Sequence, residues 1–518
     1  MKKIYLAVFA VLSVITLAVS HNLAGASSPA EYTGTVREVH GDNFTDKHAE
    51  NKHYVLDTTK AVYNLALPSS SNVEPGQKVK LHGQVDGNKL VVAQGSLSAT
   101  NAATSATVSG VQKVAALLIN FTNDRSQPFT TSEAYSTLFT DTRSVNAFYK
   151  ASSNGQVSLT GDVYGWYSLN LDNTTCDYPS WKTAADAAAT AAGVNLAAYT
   201  NVVYEFPYTA SCNWGGLGYM PGNYSWINGG GGYNFGIISH ELGHNFGVNH
   251  ANSENCTDSN GVRVTLSAAC TSTEYGDPFS IMGNSGNNLH TNWHRAQLGW
   301  LAPQVITASG QYVLPPMTRN VPGRLLSVAR GDGTYFQLEY RGFGDPYFDI
   351  FSSSDPVANG LTIRLTPDTS SLVQSQLLDT TPETTSFDDA PLLAGKTFTD
   401  SANNISITVL SVAGYDGATV KVQFGNSSGA DTQAPSTPVN LTAKLASNKK
   451  TVNLAWSASA DNVGVVGYKV YRNGVLLKQI TATSTTDSPA KGSWTYTVAA
   501  YDAAGNVSSL SNAATVKL

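Results

Sequence analysis

The chain has 518 residues, 42% of them hydrophobic, and a formal net charge of only -6. Charged residues make up 13%, with Lys and Arg scattered rather than clustered, so no basic patch is present and nucleic-acid binding is not expected. A single hydrophobic core stops growing at roughly 250–300 residues, which predicts several domains.

Lys2 and Lys3 precede an apolar run over residues 4–19, and Ala24-Gly25-Ala26 resembles a signal-peptidase site. Residues 1–26 therefore read as a cleavable secretory signal rather than an anchor, because the run is short for a span of roughly 20 residues. The mature chain is expected to be secreted and extracellular. Four cysteines, Cys176, Cys212, Cys256 and Cys270, suit disulfides in an exported chain, and the absence of any Cys-x-x-Cys pair argues against a thiolate metal site. Three connectivities exist; Cys176–Cys212 and Cys256–Cys270 are favoured because each closes a local loop.

Residues 27–105 carry five short strand patterns separated by turn residues such as Pro75-Gly76 and Asp86-Gly87, as in a small β-barrel. Residues 106–300 alternate: a buried strand over 113–121, helices over 132–138 and 144–150, strands over 156–160 and 201–206, and an Ala-rich helix over 180–198. This predicts a mixed α/β domain. Residues 301–426 lose the helical pattern and read as a β-sandwich. Residues 427–437 form a Gly/Ser/Pro-rich linker. Residues 438–518, with Val452-Asn-Leu-Ala-Trp456, the Asn473-Gly474 turn and Ser493-Trp-Thr-Tyr-Thr-Val-Ala499, resemble a fibronectin type III domain, a second β-sandwich. Tyr496 takes the place of that family's tyrosine-corner residue.

The chemistry concentrates in Ser239-His-Glu-Leu-Gly-His-Asn-Phe-Gly-Val-Asn-His250. His240 and His244 are four apart, so on a helix both imidazoles share one face and reach one ion. Gly247 permits a sharp turn that returns His250 as a third ligand. Three nitrogens leave one tetrahedral position open, the mark of a catalytic rather than a structural zinc site. Glu241, beside the first ligand, is free to act as general base on a water. Three histidines at metal spacing outweigh the alternative of polar core residues.

Downstream, Glu274-Tyr-Gly-Asp-Pro-Phe-Ser-Ile-Met-Gly283 places Met282 as the methionine of a turn beneath the zinc site. Together with Val145-Asn-Ala-Phe-Tyr149, Ser153-Asn-Gly155 and Arg295-Ala-Gln-Leu-Gly-Trp300, these strings resemble the gametolysin family of metallopeptidases. The resemblance implies a metzincin-type α/β zinc endopeptidase domain. It is flanked by the N-terminal barrel, the β-sandwich and the fibronectin type III module. One catalytic zinc ion is implied, with a protein or glycoprotein substrate of an extracellular matrix or cell wall. The C-terminal domain is then a matrix- or wall-facing unit, and the chain is expected to be a monomer. Some metzincins use a Tyr two residues after the Met; here that position is Asn284, and nearby Tyr275 cannot be promoted on sequence alone. Calcium is an open option that no residue pattern supports; Asp277 reads as a brace of the turn.

His290 and His294, also four apart on an expected helix, are read as structural. Residues 214–226, rich in glycine and aromatics, are expected to form an edge strand that takes substrate backbone by strand addition. The barrel, placed before the catalytic region, suits a pro-segment or folding aid. It has no cysteine, so any block on the metal must use a carboxylate, a histidine or steric cover. His40, Asp42 and Asp46 are available, and nothing singles one out. Two other readings stand beside an active peptidase: a catalytically silent adhesion protein, which would not need Glu241, and an amidase acting on cell-wall peptides.

Overall fold

The computed structural model describes residues 29–44, 51–58, 60–68, 71, 73–99, 107–229, 235–342, 347–367, 374–425, 433–447, 449–461, 464–502 and 506–518. The leader expected over 1–26, Asp46 and most of the 427–437 linker lie outside the described residues. No described helix is long and apolar enough to cross a membrane.

The N-terminal strands are β1 (Ala30–Asp42), β2 (Asn51–Asp57), β3 (Val62–Ala66), β4 (Lys78–Asp86), β5 (Lys89–Val92) and β6 (Ser98–Ala99). Their pairings close on themselves in the order β1-β2-β3-β5-β4-β1, a five-stranded barrel around Val36, Leu56, Val79, Leu81 and Leu90. Alternation fills this small interior: in β4, Val79 and Leu81 are buried while Lys78 and Lys80 are exposed. β1 is long, at 13 residues. Its first half pairs with β4, and its second half continues past the barrel onto the next domain.

That domain is built on β7 (Gly110–Asn120), β8 (Val157–Ser168), β9 (Asn201–Pro207), β10 (Gly216–Met220) and β11 (Tyr224–Gly229). The order is β10-β11-β9-β7-β8, parallel except for β10. The run Val114-Ala-Ala-Leu-Leu-Ile119 is apolar throughout because both faces of a parallel sheet are covered. On one face α2 (Val145–Ser152) and α4 (Phe235–Phe246) pack Phe148, Tyr149, Ile238 and Leu242 against Val114 and Ala116. On the other, α3 (Tyr178–Ala191) packs Trp181, Ala185 and Ala189 against Leu117 and Ile119. A short α1 (Thr131–Tyr135) opens with a capping box between Thr130 and Glu133. The Ala-rich helix stops well before residue 198, because Gly193 turns the chain with φ 85° and Val194 N–H closes on the Ala189 carbonyl.

After the helix come β12 (Ala251–Thr257), β13 (Arg263–Val264), β14 (Ala269–Thr273) and α5 (Asn292–Gln297). β12 runs parallel to the strand Ser375–Leu378, so these strands join the sheet built mainly by residues 304–393. A second sheet, from Gly310–Leu314, Thr397–Asp400, Ile405–Val412 and Ala418–Phe424, packs on it around Phe336, Leu338 and Ile407. Both expected disulfides form: Cys176–Cys212, and Cys256–Cys270 across β12 and β14. The last module has a three-stranded sheet (Val439–Leu445, Val452–Ser457, Ser484–Asp487) facing a four-stranded one, around Leu454, Trp456, Tyr468 and Val498. Among the described residues, none of its strands pairs outside the module. The Tyr496 hydroxyl meets the Asp487 carboxylate at 2.8 Å, a side-chain partner rather than the backbone partner of a tyrosine corner.

Candidate metal centre

α4 carries His240, Glu241 and His244, all buried. Gly247 follows with φ 106°, a conformation that favours glycine, and the chain reverses to bring in His250. His240 Nε2 lies 3.1 Å from His244 Nε2, which lies 3.1 Å from His250 Nε2. Each Nδ1 faces an acceptor: His240 the Ile281 carbonyl at 2.8 Å, His244 the Val248 carbonyl at 2.9 Å, and His250 the Glu274 carboxylate at 2.5 Å. These contacts place the ring proton on Nδ1 and leave bare Nε2 lone pairs pointing at one another. Three converging lone pairs repel unless a cation sits among them. Ligands at 2.0–2.1 Å from one tetrahedral ion stand about 3.3 Å apart, so the donor set fits a zinc-sized ion.

The electrostatics agree. Burial drives His244 down to about 4, keeping it neutral as a ligand must be. At His250 burial acts downward, but the Asp42 and Glu274 carboxylates outweigh it and push the group up to about 9. The site thus favours a positive charge at this point, whether a proton or a metal ion.

Glu241 lies against β10. A Cβ at Gly216 would stand 1.9 Å from Glu241 Oε1, and one at Gly218 2.8 Å from Oε2 and 2.9 Å from the His244 Cβ. The glycine-rich segment is therefore also the space that admits the carboxylate. Neither Glu241 oxygen has a hydrogen-bond partner among the described residues, and burial followed by the neighbouring Asp42 charge raises its pKa well above the ordinary range. Beneath the helix, a Cβ at Gly243 would stand 2.6 Å from Met282 Sδ, so methionine and helix touch where only glycine fits. Asp277 is held by Arg364 Nε at 2.6 Å and accepts the Phe279 N–H at 2.8 Å, bracing that turn as expected.

Three groups at the site were weaker in the sequence. Tyr275 packs on His250, ring centroids 4.1 Å apart, and donates its hydroxyl to Asp42. Glu274 orients His250. Asp42, from the far end of β1, faces all three Nε2 atoms. The string Glu274-Tyr275-Gly276-Asp277 before the methionine was the available signal for the first two; Asp42 was one of three available side chains with nothing to single it out, lying 198 positions before His240. Asn284 lines a cavity beside the site with Gly283 and Ser285. His290 and His294 join no candidate metal cluster among the described residues.

Residues 89–326 match the family described as Gametolysin peptidase M11. This segment is similar to the gametolysin peptidase family. Both the histidine string and Met282 fall inside the gametolysin match. Chitinase A1 of Niallia circulans is 52% identical over 91 residues, 17% of this chain and 13% of that protein. The alpha-amylase of the same organism is 48% identical over 87 residues, 16% of this chain and 7% of that protein. The chain thus spans only a small fraction of these curated relatives. A solved Fn3-like protein from Clostridium thermocellum is 30% identical and covers 16% of this chain and 94% of its own, with a TM-score of 0.15. Beside the gametolysin-like segment, the C-terminal module is a two-sheet β-structure, and it has the likeness to that Fn3-like protein just given.

Proposed function

We propose that the chain is a secreted zinc-dependent endopeptidase of the metzincin type, hydrolysing peptide bonds of extracellular or cell-wall proteins and glycoproteins. The observation that carries this reading is the convergence of three bare Nε2 atoms, each ring anchored through Nδ1, beside a buried carboxylate with no hydrogen-bond partner of its own among the described residues. His240, His244 and His250 hold the ion. When bound, the zinc supplies Lewis acidity toward a water and toward the scissile carbonyl.

Glu241 takes a proton from the attacking water at a carboxylate oxygen and delivers it to the leaving amine nitrogen. The side of β10 now paired with β1 carries the backbone N–H and C=O groups that an extended substrate would use once β1 is displaced, which would fix the scissile bond against the helix. Met282 supports the histidine helix from below. The two disulfides favour an oxidising, extracytoplasmic compartment. The fibronectin type III module acts as a spacer toward a matrix or wall surface.

Comparing wild type with Glu241→Gln, both taken from the culture medium at equal zinc content, tests the assignment on casein, gelatin and purified cell walls. The expected result is a loss of about 10²–10⁴-fold in kcat on the protein substrates with zinc retained. Equal cleavage by both removes Glu241 from the mechanism, and release from walls alone moves the chain to the amidase class.

A further inference from the structure

β1 does not end at the barrel. From Glu38 to Asp42 it pairs antiparallel with β10, in the register Glu38↔Met220, His40↔Gly218 and Asp42↔Gly216. This is the edge on which an extended substrate would lie, so the barrel and the peptidase sheet form one continuous 11-stranded sheet. β2 pairs with the same stretch from its other side, Thr35↔Asp57 through Gly41↔Asn51, and holds it straight. Alternation of the pleat turns Glu38, His40 and Asp42 to one side of β1, and all three are buried although all are ionisable. His40 stacks on the His244 ring, centroids 4.3 Å apart with an interplanar angle of 11°. Glu38 is met by Lys52.

The Asp42 carboxylate sits at the metal position itself. Its Oδ2 lies 3.4 Å from His240 Nε2 and 3.3 Å from His244 Nε2, and its Oδ1 lies 3.1 Å from His250 Nε2. With the histidine contacts above, these separations of 3.1–3.4 Å are of the size expected between donors that share one ion at about 2.0–2.2 Å. Oδ1 also accepts the Tyr275 hydroxyl, whereas buried Oδ2 finds no hydrogen-bond donor among the described residues. A cation shared with the imidazoles satisfies that oxygen. Past Asp42 the chain continues along the cleft. The Phe44 ring stands 5.2 Å from the His240 ring and lines a cavity of about 240 Å³ with Ile237, Tyr275, Ile281 and Asn284.

We propose that in the intact chain Asp42 is the fourth ligand of the metal, carried into the cleft by a strand that occupies the backbone site of the substrate. The N-terminal barrel is then a tethered plug, and Tyr275 is a positioning residue that holds Asp42 Oδ1 and so turns Oδ2 toward the fourth position. This rests on the zinc reading above. It supplies what a cysteine-free pro-segment needs, a carboxylate stopper, and picks Asp42 from the available side chains. Because the plug is part of the same chain, its local concentration is high and free substrate competes poorly until the strand is displaced.

The test uses the full chain loaded with Co2+ in place of zinc: wild type, Asp42→Ala, Asp42→Asn and, as a control on the exposed start of β1, Glu31→Gln. The visible cobalt spectrum is recorded, then titrated with acetohydroxamate, a small chelator that needs the fourth position. Thermal unfolding of each protein verifies that it is folded, and Asp42→Asn preserves the shape of the side chain. Both Asp42 variants are expected to change the cobalt spectrum, and Asp42→Ala to bind acetohydroxamate at least about tenfold more tightly than wild type, with Glu31→Gln unchanged. Identical spectra and equal chelator affinity in wild type and Asp42→Ala overturn the plug while leaving the histidine site standing. Cobalt binding that survives His244→Ala unaltered overturns the zinc reading instead.

Discussion

Two pairs of histidines in this chain share one spacing and reach different ends. His240 with His244, and His290 with His294, are each four residues apart, and all four side chains are buried. The first pair lies inside one helix, with ring centroids 4.8 Å apart and Nε2 atoms in contact distance. The second does not share a helix: Thr291 is the N-cap of α5, so His290 stands before the first helical turn. Its rings are 6.3 Å apart. His290 Nδ1 faces Ser152 Oγ at 3.1 Å, its Nε2 has no partner, and neither ring nitrogen of His294 has one among the described residues. Spacing makes a metal pair only when the backbone between the two rings is helical and each outer nitrogen has an acceptor to fix the ring.

The largest expected effect separates the pairs outright. His244→Ala removes the proposed ligand whose Nε2 meets those of both other histidines, and should weaken zinc binding by more than the roughly 10–100-fold typical of losing an outer partner. His294→Ala should leave one zinc per chain. Metal content after dialysis, read on both variants, checks this; equal zinc loss from both would erase the distinction.

A smaller effect is expected at the strand facing the first pair. Gly216→Ala places a Cβ 1.9 Å from Glu241 Oε1 and 2.6 Å from its Cδ, so the carboxylate must move. Displacing a proton carrier by about 1 Å costs about 10²-fold in rate. Zinc content should stay at the wild-type level, because the three atoms nearest the added Cβ all belong to Glu241 and none to a histidine of the site. The measurement is kcat at matched metal loading, and an unchanged kcat would show that Glu241 has room to spare.

The same contrast explains what could be read in advance. The histidine string was legible because its geometry is local, one helix and one glycine turn within residues 240–250. Both disulfides were legible as short loops. The barrel and the fibronectin type III strands followed from period-two alternation. What escaped depended on contacts distant in the chain. Asp42 reaches the histidines only because β1 overshoots its barrel onto β10. β12–β14 join a sheet completed by residues up to 393, a pairing no local pattern encodes. Gly216 and Gly218 lie in the stretch expected to be a substrate-binding edge strand, yet the space their missing side chains leave is filled by Glu241 and His244. The Ala-rich helix ran on in sequence because alanine suits a helix, and a single glycine at position 193 ended it.

The smallest expected effect sharpens the second pair as a purely structural feature. Burial, followed by the Arg295 charge at His290 and by His290 itself at His294, holds both groups well below the usual histidine value. A basic group with a depressed folded pKa binds fewer protons folded than unfolded. Its stabilising effect is therefore complete above the unfolded value near 6.5 and is lost as pH falls toward the folded one, by up to about 1.4 kcal/mol per pH unit for each group. His294→Leu removes one of them and two unpaired buried nitrogens. At pH 7.5 its stability should lie within about 1 kcal/mol of wild type, because an apolar residue replaces polar atoms that make no hydrogen bond among the described residues. Between about pH 6 and 5 its unfolding free energy should fall less steeply than that of wild type, by about one proton's slope. Chemical denaturation at several pH values reads both quantities. Parallel pH curves for the two proteins would mean that His294 titrates normally, and a large loss at pH 7.5 would mean that it holds a partner after all, which would bring the second pair closer to the first.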